Sequence, residues 1–230
     1  MVAIAGSSVG DLGELLRDKR MHPAVFRVFE DVCSRAEIEG AVLEVGAVAG
    51  PDSLLMMPCL RRLPSRIGLN LDGAMAGECA GYPIVVGNAN AMTAFADGSF
   101  SAVLCNATLE HDRYFWKTLA EIQRVTAPGG LIAIGVPGYA GMGLAGSAPG
   151  GSWFGRLFGL LARGAHLDWI RASTVTLGVH NFPGDYYRFS EQAVRDVFME
   201  GLVDVSIRLV MSPPRIIGWG RKPCVTATPT

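Results

Sequence analysis

The sequence predicts an open α/β fold: a doubly wound, mostly parallel sheet of about seven strands with an antiparallel pair at its C-terminal edge. Three observations predict it. Short apolar runs alternate with helical segments between about residues 41 and 137, and strands that alternate with helices pair in parallel. The stretch Ala41-Val-Leu-Glu-Val-Gly-Ala-Val-Ala-Gly50 reads as a buried strand that ends in a glycine turn and opens a helix. Near the C-terminus, two apolar runs flank Ser212-Pro-Pro214, and two strands joined by a turn imply antiparallel pairing.

The elements follow in order. Leu12, Leu15 and Leu16 form one apolar group at helical spacing, and Val25, Phe26, Phe29 and Val32 form another, with Pro23 between them. Two helices within residues 1–40 are expected. Ala41–Val45 is the first strand and Asp52–Leu60 its helix. Arg66–Leu71, Pro83–Val86 and Ser101–Cys105 are the next three strands. A helix near Phe115–Val125 ends before Ala127-Pro-Gly-Gly130, a Pro/Gly stop, and Leu131–Val136 is the fifth strand. Residues 138–180 form a lid-like insertion. It begins in a Gly/Ala-rich stretch and continues through Trp153, Phe154, Leu157, Phe158, Leu160 and Leu161 at helical spacing. Ser190 is suited to cap a further helix, with Glu191 favourable in its first turn. Val203–Val210 and Arg215–Trp219 are the closing strands. No linker divides the chain, so residues 1–230 are expected to form a single domain.

Composition removes several classes of function. Half the residues are hydrophobic and 18% are charged, which excludes a disordered chain. A net charge of −1 without a long basic run argues against dedicated nucleic-acid binding, whose footprint is a clustered Lys/Arg face. Arg61, Arg62 and Arg66 read as solvated surface. The five cysteines form no C-x-x-C pair and the four histidines no H-x₃-H spacing. Zinc and disulfide scaffolds are disfavoured, no metal is expected, and a reducing cytoplasm fits best. Residues 125–155 carry no charge, but their prolines and glycines leave no apolar run long enough to cross a bilayer.

The glycine turn lies where open α/β sheets bind ligands, outside the carboxyl ends of the strands. Val48 occupies the middle position of a G-x-G-x-x-G pattern, which disfavours a nicotinamide-dependent oxidoreductase, and no Gly-Lys-Ser/Thr follows Gly50. Five blocks, in order, resemble the class I S-adenosylmethionine-dependent methyltransferases. They are Leu43-Glu-Val-Gly-Ala-Val-Ala-Gly50, Ile67-Gly-Leu-Asn-Leu-Asp72, Gly87-Asn-Ala-Asn-Ala91, Asp97–Asn106 with Leu109-Glu-His111, and Glu121–Gly130. The resemblance implies a Rossmann-like fold and S-adenosyl-L-methionine as cofactor. It places Glu44, Gly46, Ala47, Gly50, Asn70, Leu71, Asn88, Ala89 and Asn106 around that cofactor. Two residues depart from the pattern. Asn70 stands where the family usually has a carboxylate for the ribose, and Asn88 where it usually has one near the adenine. Asn keeps the hydrogen bond but loses its charge-assisted part. Asp72 shares the strand parity of Asn70 and could compensate.

A second segment, His180-Asn-Phe-Pro-Gly-Asp-Tyr-Tyr-Arg-Phe-Ser190, gathers an imidazole, a carboxylate, two phenols and a guanidinium. It resembles a segment of bacterial methyltransferases, some of them linked to polysaccharide or glycolipid assembly. Asp185, Tyr186 and Arg188 are therefore expected to shape an acceptor pocket, though Asp185 and Arg188 equally suit an ion pair that anchors the loop. His111 and His180 are the two candidate general bases. The expected activity is methyl transfer to a hydroxyl of a small molecule or saccharide, with peripheral membrane contact through the aromatic segment as an option. The rival is a fold relative that has become a non-catalytic binding or scaffold protein. The acceptor and the oligomeric state are not readable from the sequence.

Overall fold

The structure is a computed structural model that describes residues 21–75, 77–79, 81–141, 174–176 and 184–224. Its strands are β1 (Val42–Val45), β2 (Arg66–Asn70), β3 (Gly77–Cys79), β4 (Tyr82–Val86), β5 (Phe100–Asn106), β6 (Thr126–Pro137), β7 (Tyr139–Gly141), β8 (Thr174–Thr176), β9 (Val203–Val210) and β10 (Arg215–Arg221). Eight of them form one sheet in the order β3-β4-β2-β1-β5-β6-β10-β9, while β7 and β8 form a separate antiparallel pair. The five central strands β4, β2, β1, β5 and β6 run parallel. At the C-terminal edge β10 is antiparallel to both β6 and β9, as expected.

The helices are α1 (Pro23–Arg35), α2 (Phe115–Val125) and the short α3 (Glu191–Ala193), which continues as a π turn over Val194–Phe198. Two of the starts have a capping side chain. His22 Nδ1 accepts from the Ala24 amide at 3.2 Å, and Pro23 occupies the first turn, where its missing N–H costs nothing. Ser190 Oγ accepts from the Ala193 amide at 2.9 Å, the expected cap.

The sheet is covered on both faces, which explains why its central strands read as continuous apolar runs. All four residues of β1 are buried, but they alternate between two layers. Val42 meets Val28, Phe29 and Val32 of α1, together with Leu54 and Leu55. Leu43 and Val45 meet Leu119, Ile122 and Val125 of α2, together with Phe189 and Phe198. Each such side chain contributes roughly 1.5–3 kcal/mol by leaving water.

Three expectations change. The helix over Asp52–Leu60 is instead two 3₁₀ turns, Leu54–Met56 and Pro58–Leu60. Pro58 cannot donate into a continuing helix, and the Leu54 and Leu55 amides are taken by the Glu44 carboxylate. The sheet gains an eighth strand, because β3 folds back on β4 through Gly81, whose φ is +84°. The expected stop at residues 127–130 does end α2 after Val125, but these residues open β6, across an irregularity in its pairing with β5. Of the lid-like insertion, Gly138–Gly141 and Thr174–Thr176 are described. The N-terminal helix around Leu12–Leu16 and the aromatic run 153–161 lie outside the described residues.

Candidate functional site

β1 has β2 on one side and β5 on the other, so the chain reverses its winding direction there and a crevice opens at the carboxyl ends of the strands. The turns after β1 and β5 meet at that point. The Gly46 amide donates to Leu69 O at 2.8 Å and the Ala47 amide to the same oxygen at 3.1 Å. Gly46 has φ +79°, and a Cβ there would lie 2.0 Å from Thr108 Oγ1. Glycine is thus required by both conformation and space. Gly50 also has a positive φ, +98°, but nothing lies within 4 Å of where its Cβ would be. Ala47, between them, is fully buried.

Glu44 faces the α1 side of the sheet, beneath this turn. Its carboxyl accepts from Ser53 Oγ, from the Leu54 amide at 3.1 Å and from the Leu55 amide at 3.4 Å. Burial pushes its pKa up to about 7, opposed by those three donors. The side chain therefore braces the 3₁₀ turn that follows the glycines.

Asn70 ends β2. Its Nδ2 donates to Ala47 O at 2.7 Å and its Oδ1 accepts from the Asp72 amide at 2.9 Å, tying the ends of β1 and β2 together. Asp72 is exposed and accepts from the Ala74 amide at 2.9 Å. Leu71 beside it is 72% exposed, as is 57% of Val86 at the end of β4. Exposed aliphatic side chains at two adjacent strand ends offer flat apolar surface beside the crevice. Asn88 folds its Oδ1 back onto the Asn90 amide at 2.9 Å, and Ala89 is half-buried against the α2-side core. At the end of β5, Asn106 Oδ1 is buried and has no hydrogen-bond partner. A Cβ on Gly135 would come within 2.5 Å of it. A buried acceptor beside a ligand crevice calls for a donor from a ligand.

The acceptor-side residues divide. The turn Leu109–His111 follows β5, and the segment from Gly184 to Phe189 docks on it. The Tyr186 and Tyr187 amides donate to Glu110 O at 2.8 and 3.3 Å. His111 is half-buried at the end of that turn. Asp185 and Arg188 pair bidentately, with Nη2–Oδ2 at 2.8 Å, and Arg188 Nη1 also donates to Tyr187 O at 2.7 Å. Their side chains are 3% and 15% exposed, so this is the anchoring ion pair. Tyr187 and Phe189 join Phe115 and Phe198 in an aromatic cluster with centroids 5.0–5.8 Å apart. Tyr186 is different: about half exposed, with Arg113 over its ring and donating to its hydroxyl at 3.3 Å. His180 lies outside the described residues.

Three networks escaped the sequence reading. Glu110, fully buried, pairs with Arg215 of β10 at 3.3 Å. Burial pushes its carboxyl up, and Arg215 opposes this. Asn90 Nδ2 donates to Asp112 Oδ2 at 2.6 Å and to Thr118 Oγ1 at 2.8 Å, and Thr118 donates to the same carboxylate at 2.6 Å. Arg124 of α2 donates to Phe95 O, Met92 O, Asp97 and both oxygens of Glu121. In each network the partners are far apart in sequence or of ordinary surface type, and only the tertiary fold unites them. Among the described residues, no group of three or more His, Cys, Asp and Glu is arranged to hold a metal, and no helix is long and apolar enough to cross a membrane.

Comparison with known proteins agrees with this geometry. Residues 43–134, from β1 into β6, match the family described as a methyltransferase domain. No curated protein matches the sequence. Among solved structures, the chain is similar to Burkholderia thailandensis 1,6-didemethyltoxoflavin-N1-methyltransferase, with bound 1,6-didemethyltoxoflavin and S-adenosylhomocysteine. The identity is 15% and the TM-score 0.57, covering 96% of this chain and 93% of that one. It is similar to a S-adenosylmethionine-dependent methyltransferase of Thermotoga maritima at 16% identity and TM-score 0.52, covering 93% and 96%. It is also similar to Haemonchus contortus phosphoethanolamine N-methyltransferase 2 in complex with S-adenosyl-L-methionine, at 12% identity and TM-score 0.53, covering 86% and 52%. At these identities the likeness concerns the fold.

Proposed function

We propose that this chain is a class I S-adenosylmethionine-dependent methyltransferase that methylates a hydroxyl group of a small molecule or saccharide in the cytoplasm. The observation that carries the acceptor side is the docking of residues 184–189 on the Leu109–His111 turn. It sets Tyr186, with Arg113 donating to its hydroxyl, against the turn that ends in His111.

The residues present suit an adenosine-bearing sulfonium. The turn from Gly46 to Gly50 offers bare backbone, and Gly50 leaves open space above it. Leu71 and Val86 supply apolar surface for a flat ring. Asn106 Oδ1 supplies an acceptor in want of a donor. Asn70 acts one step back, holding Ala47 and Asp72 in place, and Asn88 shapes its own turn. When bound, S-adenosyl-L-methionine supplies an electrophilic methyl group on sulfur. The protein's part is to hold the acceptor oxygen in line with that methyl and to keep water out. His111 takes the hydroxyl proton as the general base. Tyr186, with Arg113 over its ring, orients a polyhydroxylated acceptor.

Calorimetric titration with S-adenosyl-L-methionine and S-adenosylhomocysteine tests the cofactor reading. Micromolar binding, weakened by Asn70→Ala, is expected, and no binding at millimolar ligand overturns it. Radiolabelled methyl transfer across saccharide, small alcohol and amine acceptors tests the oxygen reading. Incorporation confined to amines overturns it, whereas transfer to a hydroxyl acceptor that is lost in His111→Ala supports it.

A further inference from the structure

On the α1 face of the sheet, away from the strand ends, two cysteines far apart in sequence come together. Cys33 lies in the last turns of α1, and Cys59 lies in the 3₁₀ turn Pro58–Leu60 that packs on that helix. Glu30, one turn before Cys33 and on the same helix face, grips Cys59 twice. Its Oε1 accepts from the Cys59 amide at 3.2 Å and its Oε2 from the Cys59 thiol at 3.4 Å. Both cysteines line a cavity of about 230 Å³, bounded also by Ser34, Ile38, Pro58 and Arg62.

We propose that Cys33 and Cys59 form a reversible dithiol–disulfide pair, with Cys59 as the attacking thiol and Cys33 as the resolving one. The roles follow from access. Cys59 is half-buried at the cavity, while Cys33 is buried behind it, so an incoming oxidant meets Cys59 first. The acidity of the pair runs the same way: the neighbouring Cys33 holds the Cys59 thiol below its ordinary value, against burial and the Glu30 carboxylate, while Cys59 and burial push Cys33 up. The thiolate is the nucleophile in such exchange.

The oxidant is a low-molecular-weight disulfide. The Cys59 thiolate attacks one of its sulfurs, forming a mixed disulfide and releasing one small thiol. Cys33 then passes its proton to the departing small thiolate as its sulfur attacks the Cys59 sulfur, closing the Cys33–Cys59 bond and releasing the second small thiol. Two protein thiols lose two electrons and two protons, and one small disulfide becomes two thiols. The ring so closed contains β1, the Gly46–Gly50 turn and the Glu44–Ser53 contact. Oxidation therefore ties α1 covalently to the far end of the segment that carries the glycine turn.

The test uses the full chain with oxidised glutathione, followed by alkylation, digestion and mass spectrometry. A cross-linked Cys33–Cys59 peptide, two hydrogens lighter than its parts and reversed by dithiothreitol, is expected. Cys33→Ala should instead accumulate glutathione on Cys59, since the resolving thiol is gone. Cys224, exposed and alone among the described residues, serves as the internal control. Glutathione stably held on Cys59 of the parent protein, or Cys224 modified while Cys59 stays a free thiol, overturns the proposal.

Discussion

The two sides of the crevice are built by different means. On the β1–β2–β4 side, the strand ends are shaped by backbone and by short side chains. Asn70 reaches Asp72, Asn88 reaches Asn90, and Gly46 turns on its own φ. On the β5–β6 side, long charged side chains span the fold: Glu110 meets Arg215 and Arg124 reaches back to Met92 and Asp97. The first side carries exposed apolar side chains at its strand ends, Leu71 and Val86. The second joins its charges to one another, as in the buried Asp185–Arg188 pair. A charged residue near a cleft is therefore not by that fact a ligand group.

Substitutions can break this contrast. The largest effect is expected from Arg215→Ala, which leaves the buried Glu110 carboxyl without its cation. Loss of one partner of a buried pair costs about 3–5 kcal/mol, readable by urea denaturation. A loss under ~1 kcal/mol would show that the frame side does not depend on its charges.

The next concerns Glu44. Its folded pKa, about 7, lies above the ordinary value of 4.5. The folded protein thus binds the proton more tightly than the unfolded chain, so Glu44's contribution is complete below about 4.5 and is lost as pH rises through about 7. The slope is about 1.4 kcal/mol per pH unit within that window, roughly 3 kcal/mol in all. Denaturation of parent and Glu44→Gln across the window should show the parent losing stability relative to the variant as pH rises. A constant difference would mean that the carboxyl titrates as it does in water.

The glycines give a sharper contrast within one turn. Gly46→Ala must place a Cβ against Thr108 at an unfavourable φ, costing about 2–3 kcal/mol and abolishing cofactor binding in calorimetry. Gly50→Ala meets only the backbone penalty within the fold, about 1 kcal/mol, and its Cβ enters the open space above the turn, so binding is weakened but not abolished. Equal effects would refute the account of Thr108 as the limiting contact. The smallest change expected is Asn70→Ala, which removes the bond to Ala47 O. About 1 kcal/mol, or roughly fivefold in cofactor Kd, should appear with little change in melting temperature.

These differences also explain what the sequence disclosed. The strands β1, β2, β4, β5, β6, β9 and β10 and the helix Phe115–Val125 were legible because apolar periodicity and turn residues act locally. So were the strand-end positions Gly46, Asn70, Asn88 and Asn106. The pairing of Glu110 with Arg215 spans 105 positions, and no local pattern encodes it. The Asn90–Asp112–Thr118 network was hidden for the same reason. The helix expected over Asp52–Leu60 failed differently: Pro58 was visible, but the demand of a buried carboxyl for the Leu54 and Leu55 amides was not.

Arg124 carries one more consequence. Its guanidinium ties α2 to the loop holding Met92, Phe95 and Asp97 through carbonyls and carboxylates at once. That loop continues directly from the turn at Asn88–Ala91. A hinge between turn and helix would have to sever several of these bonds together, so the turn cannot swing toward a ligand without dragging the helix with it. Lysine would preserve the charge but not the planar fork. In mechanical terms the arginine is a rivet. Adjustment to different ligands on this flank must come from side-chain rotation rather than from travel of the loop.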